Sequence, residues 1–121
     1  MARRRIARAG LTAYSRRMDT LARLEATITE RLSASPETSY VAQLHARGLA
    51  VIARKLGEEA VEAITAALAG TREELTAEAA DVVFHLLVLL AEKGVPLADV
   101  LAELDRREGT SGLDEKAARN A

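Results

Sequence analysis

The chain has 121 residues, enough for one domain with a real core, and a formal net charge of -1. It has no cysteine, which excludes disulfides and thiolate metal sites and suits a cytoplasmic protein. Apolar residues make up 49% and aromatics only 2%, so the core must be built from Ala, Leu, Val and Ile. With 7 Gly and 2 Pro and no sustained period-two alternation, the composition is that of an all-α protein, a single-domain bundle of about five helices.

Charge is unevenly spread. Residues 1–17 hold six arginines and no acid, leaving 11 basic against 18 acidic residues, a balance of -7. A basic arm over 1–17, expected to be disordered, therefore precedes an acidic domain over 18–121. The arm is alternatively a polyanion-binding extension, an addition ahead of a true start at Met18, or a leader of the organelle-targeting kind. An acidic body argues against nucleic-acid binding by the domain itself.

A first helix is expected from Asp19 to Ala34. Leu21, Leu24, Ile28 and Leu32 form its apolar stripe, and Arg23, Glu25, Glu30 and Arg31 face away. Ser35-Pro36 ends it. Ser39 caps a short helix, Tyr40 to Arg47, with Val41 and Leu44 inward; Gly48 breaks the chain. His45 is read as a surface histidine without a role. A third helix runs from Leu49 to Ala69 on a stripe of Leu49, Ile52, Leu56, Ala60, Ala63 and Ala67, whose alanines allow close approach by a neighbour. Thr71-Arg72-Glu73-Glu74 fits a capping box and starts a fourth helix, which runs to about Lys93 and is stopped by Gly94 and Pro96. Its second half is apolar on every side, so one face fills the core and the other needs cover, most simply from a second subunit. The longest apolar run, Val82 to Ala91, is too short to span a bilayer. Leu97 to Arg107 is a fifth helix, followed by a flexible connector and a polar tail. That tail is either a frayed terminus or a mobile flap carrying Lys116 and Arg119 onto a polyphosphate.

The chemistry lies between Arg54 and His85. Glu62 is three residues after Glu59 and four after Glu58, so the three share a region of one helix face. Glu78 and Asp81 are likewise three apart. If the two helices pack side by side, four or five carboxylates point into one space. Such crowding is unfavourable unless a cation sits among the groups, and oxygen ligands suit a hard divalent ion such as Mg²⁺. A solvated helix face is the competing account of Glu58, Glu59 and Glu62. The second pair is harder to dismiss, because it leads directly into a buried helix. Lys55 is either a local ion-pair partner of the acids or a phosphate contact. His85, four residues after Asp81, is either a satisfied core histidine or a group near metal or substrate. No phosphate-binding glycine loop, HExxH motif or nucleophilic serine setting is present.

The segments SYVAQLHARGLAVIARKLGEEAVEAITAAL, EAADVVFHLLVLLAEKGVPLADVLAEL and SGLDEKAAR resemble the phosphoribosyl-ATP pyrophosphatase family, within the MazG-like all-α pyrophosphohydrolases. The likeness spans roughly residues 21–119. EExxE followed by ExxD is matched by Glu58, Glu59, Glu62, Glu78 and Asp81, and implies a Mg²⁺-dependent pyrophosphohydrolase. The SYxAxL start and SGLxEKAxR tail are similar to this particular family and give the substrate. The resemblance implies hydrolysis of phosphoribosyl-ATP to phosphoribosyl-AMP and pyrophosphate, the second step of histidine biosynthesis, by a stand-alone homodimer. It implies Glu59, Glu62, Glu78 and Asp81 as metal ligands and Glu58 as a further ligand or water-orienting base. Lys55, His85, Lys116 and Arg119 would lie at the substrate. Phe84 stands where the family commonly has Tyr, and Pro96 where it often has Ser. A pyrophosphatase for another nucleoside triphosphate and a non-catalytic helical dimerisation module are the alternatives.

Overall fold

Local signals place most helix ends where the chain has them. The computed structural model describes residues 2–120, with side chains from Arg16 onward except at positions 18 and 115. Six helices follow in order among these residues: α1 (Ala2–Arg31), α2 (Tyr40–Arg47), α3 (Leu49–Ala69), α4 (Arg72–Glu92), α5 (Leu97–Arg107) and α6 (Gly112–Asn120). Among them no helix is long and apolar enough to cross a membrane.

Helix α2 starts at Tyr40 because the buried Ser39 hydroxyl accepts from the Ala42 N–H at 3.2 Å. It stops at Gly48, whose φ of +100° separates it from α3 and disfavours any L side chain there. The capping box opens α4 as expected. Thr71 Oγ1 accepts from the Glu74 N–H at 3.1 Å, and the Glu74 carboxylate accepts from the Thr71 N–H at 3.4 Å.

Both ends of the chain differ from expectation. Helix α1 begins at Ala2 instead of Asp19, so the basic segment expected to be disordered is helical backbone continuous with the domain. Its run of Ala, Arg and Leu favours helix locally, and no proline interrupts it. Helix α1 also ends three residues before Ala34, where the Ala34 N–H turns to the Arg31 carbonyl in a tighter 3.1 Å bond and Ser33 Oγ donates to the Glu30 carbonyl. The polar tail forms α6, opened by Ser111, whose hydroxyl accepts from the Asp114 N–H at 3.1 Å. Polarity excluded this tail from the core but said nothing against local helicity.

The core is one cluster: Ile28 from α1, Val41 and Leu44 from α2, Ile52 from α3, and Leu87 and Val88 from α4. Ile28, Leu44, Ile52 and Val88 are its largest fully buried side chains. Each contributes on the order of 2 kcal/mol by leaving water. Helix α3 packs along α4 more extensively than any other pair does, through the buried Ala66 and half-buried Ala60 and Ala63. A two-residue connection makes the pair an antiparallel hairpin.

Glu25, expected on the outer side of α1, is half-buried, and its carboxylate accepts from the Leu97 N–H at 2.5 Å. Helix α5 begins after Pro96, which offers no side-chain cap, so a carboxylate 72 residues away takes that role. Uncovered apolar surface lies on α3 as well as on α4. On α4 only Leu75, Val83 and Leu86 are exposed among the large apolar residues, whereas α3 leaves Val61, Ile64 and Leu68 at 61%, 59% and 83%.

Candidate metal and phosphate site

The antiparallel hairpin brings the second half of α3 against the first half of α4, and its acids meet there. One carboxylate oxygen from each of Glu59, Glu78 and Asp81 lies within 4.8 Å of the others. Glu59 and Glu78 are half-buried, and each keeps one buried oxygen, Oε2, with no hydrogen-bond donor. Such oxygens are costly unless a cation meets them.

The electrostatics agree. Burial, then the adjacent Glu62 and Asp81, push the Glu59 carboxyl above its ordinary range. Glu78 is pushed up to about 7 by burial, then by Glu62, Glu59 and Asp81. Glu62 is exposed on the rim and is the carboxylate that acts most strongly on both. The acids that converge are therefore three close carboxylates with Glu62 beside them.

Glu58 is turned away from this cluster. Its two oxygens lie 3.5 Å from Arg54 Nε and 3.4 Å from Lys55 Nζ. One residue of helix rotates the side chain by about 100°, which separates it from Glu59. Lys55 thus takes the local ion pair that its spacing allowed. His85 is buried, with Nδ1 2.8 Å from the Asp81 carbonyl and Nε2 3.2 Å from the Tyr40 hydroxyl. It stands behind Asp81, bonded to protein groups at both nitrogens. Lys116 and Arg119 are exposed on α6.

A cleft of about 370 Å³ adjoins the cluster, lined by Glu62, Thr65, Ala66, Ala69, Gly70, Glu74 and Glu78. Small residues keep it open. A Cβ at Gly70 would collide with the Glu74 carboxylate and come within 3.0 Å of the Ala66 carbonyl oxygen. The sequence marks Gly70 only as a helix junction and Tyr40 only as a helix start within SYxAxL, without its contact to His85. The signal for Tyr40 was its place immediately after the Ser39 cap, at the start of SYVAQL.

Residues 21–108 match the family described as Phosphoribosyl-ATP pyrophosphohydrolase. Proteins named phosphoribosyl-ATP pyrophosphatase are similar along most of both chains. The Rhizorhabdus wittichii protein is 69% identical over 100 residues, covering 83% of this chain and 94% of the relative. The Novosphingobium aromaticivorans protein is 65% identical with the same coverage. That of Erythrobacter litoralis is 64% identical over 102 residues, covering 84% of this chain and 98% of its own.

Proposed function

The chain belongs to the phosphoribosyl-ATP pyrophosphohydrolase family, and from that premise we propose that it hydrolyses phosphoribosyl-ATP to phosphoribosyl-AMP and pyrophosphate in a Mg²⁺-dependent reaction. This is the second step of histidine biosynthesis, carried out in the cytoplasm. The observation that carries the metal dependence is the pair of buried, donor-free oxygens on Glu59 and Glu78 facing Asp81. An all-carboxylate donor set suits Mg²⁺, which takes a few carboxylates together with phosphate oxygens. Glu59, Glu62, Glu78 and Asp81 would hold it, and it would supply charge neutralisation at the phosphates while water attacks between α and β.

The protein's own groups divide the remaining work. The cleft along Thr65, Ala66 and Gly70 receives substrate beside the carboxylates. Lys55, presented from the same helix and steadied by Glu58 at 3.4 Å, meets the leaving pyrophosphate. That salt link suits Glu58 better to orienting Lys55 than to acting as a base. Lys116 and Arg119 add positive charge from α6. His85 serves the site through Asp81.

Val61, Ile64 and Leu68, at i, i+3 and i+7 on α3, support a homodimer. They form an exposed apolar stripe on the helix that carries half the acids.

Pyrophosphate release from phosphoribosyl-ATP, measured with Mg²⁺ and again after EDTA, tests the reading. Release that needs the metal is expected. No release, or release indifferent to EDTA, overturns it.

A further inference from the structure

The chain has 2 Tyr, 1 Phe and no Trp, yet two of these aromatic residues gather on one histidine. The Tyr40 and Phe84 rings stack at 6.2 Å, and each meets His85 edge-on, at 6.1 and 5.2 Å. His85 is 5% exposed. A carbonyl oxygen only accepts, so His85 Nδ1 carries a hydrogen and donates it to Asp81 O. With Nδ1 turned to that carbonyl, the ring presents Nε2 to the Tyr40 hydroxyl, 3.2 Å away. The Asp81 carbonyl thereby selects the ring tautomer, and Tyr40 holds the far edge of the ring. Tyr40 itself is fixed as the first residue of α2 by the buried Ser39 cap.

We propose that Tyr40 and His85 are a positioning pair for Asp81, setting the aim of its carboxylate at Glu59 and Glu78. The inference rests on the reading that these three carboxylates hold a divalent cation. Helix α4 is continuous through Asp81 and His85, so the Asp81 carbonyl serves the helical ladder as well as the ring N–H. That second bond lies within α4, and the Tyr40 hydroxyl on His85 Nε2 carries the link on to α2, an element that contributes no carboxylate. A ring with its hydrogen on the wrong nitrogen would set a lone pair against the carbonyl and lose that link to α2. Mg²⁺ demands near-ideal oxygen geometry, so a small change in aim becomes a change in affinity.

Calorimetric Mg²⁺ titration of the full chain without nucleotide, with helicity followed by circular dichroism, tests the pair. His85→Gln removes the donor at the Nδ1 position and keeps an amide near Tyr40. His85→Asn keeps a donor at the Nδ1 position. Tyr40→Phe keeps the ring stack and removes only the hydroxyl. The expected loss of Mg²⁺ affinity is about tenfold for His85→Gln and about threefold for Tyr40→Phe, at unchanged helicity. His85→Asn is expected to recover most of the His85→Gln loss. If His85→Gln does not fold, Tyr40→Phe and His85→Asn carry the test. Wild-type affinity in Tyr40→Phe and His85→Gln, whatever their melting temperatures, overturns the proposal, as does a His85→Asn affinity as low as that of His85→Gln. A wild-type chain that binds no Mg²⁺ sinks the metal reading itself and this pair with it, a result distinct from the other two.

Discussion

Glu78 on α4 and Glu103 on α5 are the same chemical group in opposite surroundings. Glu103 accepts from Arg106 Nε at 2.9 Å, from Arg106 Nη2 at 2.7 Å and from Arg107 Nε at 2.9 Å. The two guanidinium groups hold its carboxyl down at about 2. Glu78 is half-buried against three other carboxylates and is pushed up to about 7. The α5 cluster is electrically complete within the folded chain. The α3–α4 cluster is balanced only when a cation or protons arrive from outside, and the proposed metal site rests on that difference.

The largest expected effect comes from removing charge at the incomplete cluster. Asp81→Asn and Glu78→Gln should each lower turnover about a hundredfold or more at saturating Mg²⁺, measured as pyrophosphate release. Without metal, Glu78→Gln should melt above the wild type, because it removes a repelled charge and leaves no buried ion unpaired. An active Asp81→Asn protein would break the comparison at once.

The next effect concerns assembly. Ile64→Glu places a charge in the exposed α3 stripe and should turn a dimer into a monomer by sedimentation velocity. A monomeric wild type would show instead that Val61, Ile64 and Leu68 stay exposed to solvent.

Acidity sharpens the contrast between the two clusters. The folded-state value of Glu78, about 7, lies above its ordinary 4.5, so proton uptake favours the folded chain. Its contribution to stability is complete below 4.5 and is lost as pH rises through about 7. The metal-free melting temperature should therefore rise as pH is lowered from about 8 to about 5, and saturating Mg²⁺ should flatten that slope. A slope unchanged by Mg²⁺ would separate the raised carboxyl from metal binding.

What the sequence disclosed follows the range of the interaction. Helical periodicity is local, and it aligned Glu59 with Glu62 and Glu78 with Asp81 before any packing was known. Ser39 and the Thr71 capping box likewise act within three residues, and α2, α3 and α5 have the expected bounds. Periodicity gave no choice between Glu58 and Glu59, because the rotation of α3 against α4 decides which of two adjacent acids faces the partner. The Glu25 cap on α5 and the Tyr40–His85 bond span 72 and 45 residues, and nothing in either segment marks its distant partner. The extension of α1 ahead of Asp19 and the helix α6 have a different origin. Such charged, core-poor segments carry no apolar stripe, although their Ala, Arg, Leu and Lys are good helix formers.

Glu103→Gln should have the smallest effect, with the sign opposite to that of Glu78→Gln. Its depressed carboxyl adds stability above the ordinary 4.5, lost only as pH falls through about 2. At neutral pH the substitution removes an attraction, so the melting temperature should fall, but only slightly. The pairs are exposed and solvent screens them. Salt provides the control. At about 1 M NaCl the Debye length shrinks to about 3 Å, and the difference between Glu103→Gln and wild type should nearly vanish. The gain from Glu78→Gln should survive that salt better, because its carboxyl is partly withdrawn from water. Were Glu103→Gln to cost more than Glu78→Gln gains, and to do so in high salt, the C-terminal arginine cluster would have to be tying α5 to the bundle as well as balancing a surface charge.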